Sequence, residues 1–412
     1  MKNIVVLSTS YYPEMSASSA VFDKYLQQMK EKYVFHVVTA TWYDDFEPLN
    51  DPTVKIYYIS CFWHRLRVKA ESRFRKNPSF FNRLVISLFR VRTFILWHLL
   101  YPLPTKWEIN QYYKKLEELS NQINIGAIIT VSGMINVQFS AKKFKEIHPD
   151  IKWVTFFTDP FTNLFVYYPP LKIKKQRMEK NRQNEISIYN TADYNYILED
   201  HYEKVITEFK QPVEKTFRMR FSLENIRKRC TGNNIKPSKD IKLIYAGRLY
   251  RKIRNPEFML SVISKVNQIN LDLYIMEHEC DDIIIKYTSD RIKMKGAANR
   301  ETYENMICNE YDILVNIGNN CDNLSPSKMF ELLSSGRPIV NFYYRKDSQY
   351  VLIERYPLGL NIGRDDKDAS IKLEKFCKDM KGKQLEFSEV EKLYPENSLR
   401  DQVVLFEKLI NG

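Results

Sequence analysis

Short runs of β-branched and aromatic residues alternate with helix-periodic segments along nearly the whole chain of 412 residues, and this alternation most limits its possible folds. Strands that alternate with helices form βαβ units and parallel sheets, so the sequence predicts an α/β protein. The runs of the first half are Ile4–Leu7, Phe35–Thr39, Val54–Ile59, Ala127–Val131, Trp153–Phe157 and Tyr194–Leu198. Those of the second half are Ile241–Ala246, Leu271–Met276, Arg291–Met294, Ile313–Asn316 and Ile339–Phe342.

The alternation is interrupted by one polar stretch, from Ser222 to Asp240. We therefore predict two doubly wound domains, 1–222 and 236–395, with a cleft between them. A last helix in 396–412 is expected to return to the first domain. Ligands of such sheets bind outside the carboxyl ends of the strands, so functional residues are expected in the loops that follow the strands.

Composition favours a globular protein, with 44% hydrophobic and 27% charged residues. The sequence contains no run of eighteen apolar residues, so it predicts no membrane span. The six cysteines form no CxxC pair or dense disulfide pattern, which favours a reducing cytoplasmic location. Of the histidines, His36 is expected in the core, and His148, His201 and His278 at the surface.

The run from Ser325 to Val340 is the most informative segment for function. Ser325 and Pro326 are typical of a helix start, and Gly336 of the residue just after a helix end. Lys328 and Glu331 lie one turn apart on the same helix face. A lysine and a carboxylate so placed suit the phosphate and the sugar hydroxyls of a nucleoside diphosphate. A capped surface helix with a chance Lys–Glu pair is the alternative.

A second run follows the strand Ile241–Ala246. After Gly247 comes a loop with four cations and no acid, and Asn255 and Pro256 are expected to begin the next helix. Cations at the carboxyl end of a strand are a plausible clamp for a pyrophosphate, although a solvated basic loop would have the same composition. The cations are Arg248, Arg251, Lys252 and Arg254.

Together these two runs resemble the GT-B glycosyltransferases, particularly family four, the capsule and O-antigen type. Gly247-Arg248-Leu249 and the segment from Pro326 to Val340 match its motifs, and the opening from Ile4 to Met15 is also similar. The resemblance implies two Rossmann-like domains, 1–222 binding the acceptor and 236–395 binding the nucleotide-sugar, which face a central cleft.

The resemblance also implies residue roles. Arg248, with Lys252 or Arg251, would neutralise the diphosphate leaving group, and Ser327 and Lys328 would contact the same phosphates. Glu331 would hold the ribose hydroxyls. Fixed cations supply this stabilisation without a metal ion, so we expect a metal-independent reaction with no cofactor besides the nucleotide-sugar donor. The expected donor-binding set is Gly247, Arg248, Arg251, Lys252, Asn323, Ser325, Ser327, Lys328 and Glu331.

The sequence departs from the family pattern in two places. Many members carry a glutamate eight residues before the one equivalent to Glu331, where this chain has Asn323. A Gly-Gly pair common near the start is replaced by the run from Ser16 to Ser19. These changes keep a second interpretation open, namely a catalytically silent relative that binds a nucleotide or a partner at the membrane. A nucleotide-sugar 2-epimerase of the same fold is a third.

Asp159 is the candidate general base. It follows the strand Trp153–Phe157 and precedes Pro160, at the carboxyl end of a strand of the first domain. From there it is placed to accept a proton from an acceptor hydroxyl if the reaction inverts configuration. An aspartate that only shapes the turn is the alternative.

Residues 61–107 form a basic and aromatic insertion with ten basic residues and one acidic residue, a net +9 of the chain's +13. Such a segment is typical of peripheral binding to an anionic membrane, here the inner face of the cell membrane. A helical insertion with a solvated basic face is the alternative, and no helix-turn-helix, RRM or zinc signature indicates nucleic acid. The proposed membrane-binding residues are Arg65, Arg67, Lys69, Arg73, Arg75, Lys76, Arg90, Arg92 and Trp97.

From these features we expect a transferase that moves a sugar from a nucleotide-diphosphate sugar to a membrane-associated glycan or lipid-linked acceptor in cell-surface polysaccharide synthesis. The expected partners are the donor, the acceptor and the anionic membrane surface.

Overall fold

The structure is a computed structural model that describes residues 1–13, 15–40, 46–59, 62–77, 79–100, 106–131, 135–158, 162, 174–230, 240–275, 279–320 and 327–412. Its residues divide into two compact units. The first comprises Met1–Arg220 and Leu399–Gly412, and the second comprises Phe221–Ser398. Each unit contains its own parallel sheet, which confirms the predicted α/β class with two doubly wound sheets.

Seven strands of the described chain form the first sheet, in the order β3-β2-β1-β4-β5-β6-β7. They are β1 (Lys2–Leu7), β2 (Tyr33–Ala40), β3 (Val54–Ile59), β4 (Ile125–Val131), β5 (Trp153–Phe157), β6 (Tyr194–Leu198) and β7 (Thr216–Met219). The helices of this unit are α1 (Ala17–Met29), α2 (Phe62–Lys76), α3 (Phe80–Leu100), α4 (Lys106–Gln122), α5 (Ile135–Ile147), α6 (Lys174–Thr191), α7 (Glu199–Thr207) and α15 (Leu399–Asn411).

The second sheet contains six strands among the described residues, in the order β10-β9-β8-β11-β12-β13. They are β8 (Ile241–Ala246), β9 (Ile269–Tyr274), β10 (Ile292–Gly296), β11 (Ile313–Ile317), β12 (Ile339–Tyr343) and β13 (Gly359–Gly363). Its helices are α8 (Glu257–Ile263), α9 (Asp281–Tyr287), α10 (Arg300–Asn309), α11 (Lys328–Ser334), α12 (Ser348–Arg355), α13 (Ala369–Met380) and α14 (Phe387–Leu393).

The C-terminal helix α15 belongs to the first unit because an aromatic cluster holds it there. The ring centroid of Phe406 lies 5.7 Å from that of Tyr25, 5.6 Å from that of Phe156 and 5.2 Å from that of Tyr196. All four rings are buried. The hydroxyl of Tyr196 also donates to Oε1 of Gln402 at 2.5 Å, so the buried polar groups beside the cluster are paired.

A row of asparagines crosses three neighbouring strands of the second sheet. Asn316, Asn341 and Asn361 occupy the same register on β11, β12 and β13. Nδ2 of Asn316 donates to Oδ1 of Asn341, and Nδ2 of Asn341 donates to Oδ1 of Asn361, each at 2.8 Å. A one-residue slip of the middle strand β12 would break both bonds, so this row helps to fix the register of the three strands.

One expectation about burial is wrong. His201, expected at the surface, is buried on α7, and its Nδ1 has no hydrogen-bond partner in the described part of the chain. Burial lowers the pKa of His201 to about 4, so the ring is neutral at physiological pH. His36 is in the core as expected, where its ring nitrogens contact the hydroxyl of Tyr57 and Oδ1 of Asn3. His278 lies outside the described residues.

Candidate functional site

The second sheet reverses its strand order between β8 and β11, which are neighbours in space but distant in the chain. This reversal is a topological switch point, where the loops at the carboxyl ends of two strands diverge and leave a crevice for a ligand. The two runs singled out in the sequence flank this point. The run with the four cations follows β8 directly. The run from Ser325 to Val340 contains α11, which comes after the loop that follows β11.

Gly247 ends β8 with a φ of +155°, a backbone conformation that side chains other than that of glycine rarely adopt. Its N–H donates to the carbonyl of Tyr274 at 3.0 Å, which ties the loop to β9. A Cβ at this position would lie 3.2 Å from Oη of Tyr245 and 3.9 Å from Nη1 of Arg254. The glycine therefore lets the chain turn close beside these two side chains.

The four cations of the β8–α8 loop have different surroundings. Arg251 pairs with Asp282 at the start of α9. Arg254 donates from Nε and Nη2 to Oδ1 of Asn319 at 3.1 and 2.9 Å. Arg248 and Lys252 are exposed, and neither has an ion pair with another residue in the described part of the chain. These two cations are therefore available to a bound anion.

The loop after β8 is joined to the loop after β11. Besides the contact of Arg254 with Asn319, the N–H of Asn320 donates to the carbonyl of Ile253 at 2.7 Å. Within the loop after β8, Tyr250 and Arg254 form an isolated antiparallel β-bridge. Arg254 thus has a structural role and connects the two loops that flank the switch point.

Lys328 is the first residue of α11, and its ammonium lies over the ring of Tyr303 on α10, 4.5 Å from the ring centroid. Burial lowers the pKa of Lys328 to about 8. The carboxylate of Glu331 opposes this shift, and the guanidinium of Arg254 adds to it. An ammonium whose charge is costly in the free protein gains strongly when an anion arrives beside it.

Glu331 lies one turn after Lys328 and is half-buried. Its carboxylate has no hydrogen bond or ion pair with the other residues that the structure describes. Nearby, the hydroxyl of Tyr303 is buried and has no hydrogen-bond partner among the described residues. Burial, followed by the charge of Glu331, raises its pKa well above the ordinary value. An unpaired carboxylate beside cations is suited to accept hydrogen bonds from ligand hydroxyls.

One side of helix α11 packs into the core of the second unit. Met329, Leu332 and Leu333 are buried, and Phe330 packs on Phe221 with ring centroids 5.9 Å apart. Gly336 ends the helix with a φ of +72°, as the sequence predicted. Ser327 directly precedes the helix, whereas Ser325, Pro326 and Asn323 lie outside the described residues. Asn255 accepts from the N–H of Glu257 at 2.9 Å at the start of α8.

Three residues of this site carried no sequence signal. Tyr303 lies in α10 and Tyr245 in β8, and neither belongs to a sequence motif that indicates a ligand site. Asn319 is buried and supports Arg254. Their roles depend on contacts between segments that are far apart in the sequence, which spacing alone does not reveal.

In the first unit, the structure describes part of the predicted acceptor and membrane regions. Thr158, at the end of β5, is described, whereas Asp159 is not. Arg65, Lys69 and Arg73 are exposed on α2, and Arg90 and Arg92 are exposed on α3. Arg67 pairs with Glu71 at 2.9 Å. The side chains of Arg75, Lys76 and Trp97 lie outside the described residues.

The described ranges hold neither a metal cluster nor a membrane span. Across them there is no group of three or more His, Cys, Asp or Glu residues arranged to hold a metal ion. None of the helices described is both long enough and apolar enough to cross a bilayer.

Comparison with known proteins gives matches of structure only. No family model matches the sequence, and no curated protein matches it. Sucrose-phosphate synthase from Thermosynechococcus elongatus is 11% identical, with a TM-score of 0.64 over 99% of this chain and 98% of that chain.

HepE from Anabaena, solved in complex with UDP and glucose, is 8% identical, with a TM-score of 0.60 over 99% of both chains. WaaG, a glycosyltransferase involved in lipopolysaccharide biosynthesis, is 8% identical, with a TM-score of 0.55 over 99% of this chain and 98% of that chain. At such low identities, these matches show the fold, which is the GT-B fold predicted from the sequence.

Proposed function

We propose that this GT-B fold serves a glycosyltransferase that takes a sugar from a nucleotide-diphosphate sugar bound in the second unit. The observation that carries the proposal is a set of charges around the switch point of the second sheet that have no ion pair among the described residues. The exposed cations Arg248 and Lys252 follow β8, and the carboxylate of Glu331 lies one turn after Lys328 on α11. Cations for a diphosphate and a carboxylate for hydroxyls are the two kinds of group that a nucleoside diphosphate requires.

In this proposal, Arg248, Lys252 and Lys328 bind the diphosphate, and Glu331 accepts hydrogen bonds from the ribose hydroxyls. Ser327 and the backbone around Gly247 adjoin the same region. Arg251 is already paired with Asp282 and would have to exchange this partner to reach a phosphate. Lys252 is therefore the better candidate for the second cation beside Arg248.

Chemically, the leaving group is a nucleoside diphosphate whose negative charge grows as the bond to the sugar breaks. Cations fixed in place before the reaction stabilise this charge without reorganisation. Fixed side-chain cations supply this stabilisation in the proposed metal-independent reaction. Asp159 remains the proposed general base for an inverting reaction, on sequence grounds alone.

The proposed acceptor is a glycan or lipid-linked molecule held at a membrane, in cell-surface polysaccharide synthesis. Arg65, Lys69 and Arg73 support a membrane location because they are exposed and spaced four residues apart, so they share one face of α2. Such a basic face is attracted to the anionic inner leaflet, which supports a peripheral location on the cytoplasmic side. The involvement of WaaG in lipopolysaccharide biosynthesis supports the pathway only by analogy of fold.

The test is turnover of a uridine nucleotide-sugar, chosen because HepE was solved with UDP. The protein is incubated with UDP-glucose and membrane lipid extract, and the amount of UDP released is measured. The wild type is compared with Arg248→Ala and with the control Glu374→Ala on α13. We expect acceptor-dependent UDP release that Arg248→Ala abolishes and Glu374→Ala preserves. If UDP-glucose gives no release of UDP, GDP-, ADP- and dTDP-sugars are tested in the same assay.

The alternative, a silent relative, predicts nucleotide binding with no release of nucleotide from any of these donors. Conversion of a free nucleotide-sugar without acceptor would instead indicate the epimerase.

A further inference from the structure

The outer face of α3 carries six apolar side chains that are open to solvent. Their exposed fractions are between 46% and 84%, although large apolar side chains are usually at least partly covered. They are Phe80 (84%), Phe81 (70%), Leu84 (46%), Leu88 (61%), Val91 (56%) and Ile95 (47%).

These six positions form one continuous stripe. With about 100° of rotation per helical residue, all six fall within an arc of about 100°. Phe89, about 180° away from Phe80 on the same count, is buried at 7% exposure and faces the protein. The helix therefore packs on the protein through one side and presents an unbroken apolar stripe on the other. We call these six residues the α3 stripe.

Arginines flank the α3 stripe on both sides. On the same count, Arg92 lies about 20° beyond one edge, whereas Arg83 and Arg90 lie about 60° and 80° beyond the other, and all three are exposed. Helix α2, which packs against α3, adds the exposed basic face of Arg65, Lys69 and Arg73. An apolar stripe with basic borders is the pattern of a helix that lies in the plane of a membrane interface.

We propose that the α3 stripe is a membrane-insertion surface for an anionic bilayer, with α3 lying parallel to the membrane. The apolar side chains enter the boundary between headgroups and acyl chains, and the arginines on the borders bind lipid phosphates. Arginine suits this position because its long apolar stem follows the bilayer surface while its guanidinium binds phosphate in a bidentate manner.

Charge favours a lipid surface over a second copy of this chain. In a two-fold dimer, the same patch meets itself, so Arg83, Arg90 and Arg92 of one copy would approach those of the other. Such like charges repel at short range, whereas lipid phosphates complement them. The inference deepens the membrane part of the proposed function and rests on that part, but it does not depend on the donor chemistry.

The experiment is co-flotation of the full chain with vesicles of phosphatidylcholine, with and without about one quarter phosphatidylglycerol. One variant carries Leu84→Gln, Leu88→Gln and Val91→Gln. A matched control carries Val351→Gln and Ile371→Gln, which replace side chains of the second unit that are 50% and 66% exposed. Both variants change exposed residues only, and UDP binding and the melting temperature are measured in parallel as controls for the fold.

We expect the wild type and the control to bind the anionic vesicles and to keep part of this binding in about 0.5 M salt, because insertion is screened less than charge attraction. The stripe variant is expected to lose binding by at least about tenfold at that salt concentration. A variant with Arg83→Gln, Arg90→Gln and Arg92→Gln is expected to lose the preference for anionic over neutral vesicles.

A second variant reports insertion without loss of binding. Leu88→Trp places an indole within the α3 stripe, and its added fluorescence is expected to shift to the blue with anionic vesicles. Equal binding of wild type and stripe variant, or no blue shift, would overturn the inference. So would a dimer of the wild type that the stripe variant abolishes while neither binds vesicles. If vesicle binding fails while UDP still binds, only the membrane proposal is lost.

Discussion

The ammonium of Lys328 lies over the ring of Tyr303, 4.5 Å from the ring centroid, beside the switch point of the second sheet. The aromatic face attracts the cation, while burial disfavours its charge. Burial, opposed by the carboxylate of Glu331 and helped by the guanidinium of Arg254, lowers the pKa of Lys328 to about 8, close enough to physiological pH for a bound anion to change its protonation.

Nucleotide affinity is expected to depend on the protonation of Lys328. In the proposed site the charged ammonium binds the diphosphate, so affinity for UDP should be nearly constant below pH 8 and fall above it, by up to about tenfold per pH unit. Titration calorimetry between about pH 7 and 9.5 measures this dependence. Lys328→Arg keeps its charge in this range and should show a flat profile. Profiles of equal slope in both proteins would contradict the assignment.

The ring and the hydroxyl of Tyr303 are expected to have separable effects. Tyr303→Leu removes the aromatic face beneath Lys328 and should weaken UDP binding by about threefold to tenfold at pH 7.5. Tyr303→Phe keeps the ring and removes a buried hydroxyl without a partner, so it should raise the melting temperature or leave it unchanged. Equal losses of affinity in both variants would show that the hydroxyl itself, rather than the ring, serves the ligand.

Gly247→Ala is expected to damage the site as well as the fold. The new Cβ would press on Tyr245 and approach Arg254, in a backbone conformation that costs an alanine about 1–3 kcal/mol. We expect a lower melting temperature together with weaker UDP binding. Gly382→Ala is the control, since Gly382 also has a positive φ, of +73°, but an added Cβ there would meet no atom within 4 Å. A control that weakens UDP binding equally would point to general destabilisation.

The asparagine row should contribute to the stability of the second unit. Asn341→Ala would remove the bond that Oδ1 of Asn361 accepts, whereas Nδ2 of Asn316 would keep its bond to Oε1 of Gln349, so we expect a cost of about 1–3 kcal/mol. For a unit of this size, such a loss lowers the melting temperature by several degrees, or about 2–4 °C per kcal/mol. Scanning calorimetry measures the shift. A change below about 1 kcal/mol would show that water or local relaxation replaces these bonds.

Most of the fold follows from the alternation of strand and helix patterns, because parallel sheets with helices on both faces have recognisable apolar strands. Neither β7 nor β13, each at an edge of its sheet, was predicted from the sequence. β7 is only four residues long, and β13 has a glycine at each end. Edge strands depend on pairing with a neighbour more than on intrinsic propensity, so their local sequence predicts them poorly.

The local geometry of the candidate site was predictable where one segment supplies it, as with the end of β8 before Gly247 and the one-turn spacing of Lys328 and Glu331. Contacts between distant segments were not predictable. The loop after β8 contains no acid, yet Asp282 from α9 pairs with Arg251. Likewise, the apolar residues of 61–107 were evident in the sequence, but only packing shows which of them face solvent.

The proposed donor site is tested most sharply by the affinity of the protein for UDP, measured by titration calorimetry on wild type, Glu331→Ala and the control Glu374→Ala. We expect wild type and control to bind alike and Glu331→Ala to bind at least about tenfold more weakly with an unchanged melting temperature, since a carboxylate lost from ligand hydroxyls costs hydrogen bonds to a charged group. Equal affinity of Glu331→Ala and wild type, or no binding of UDP, GDP, ADP or dTDP to the wild type, would contradict the donor site.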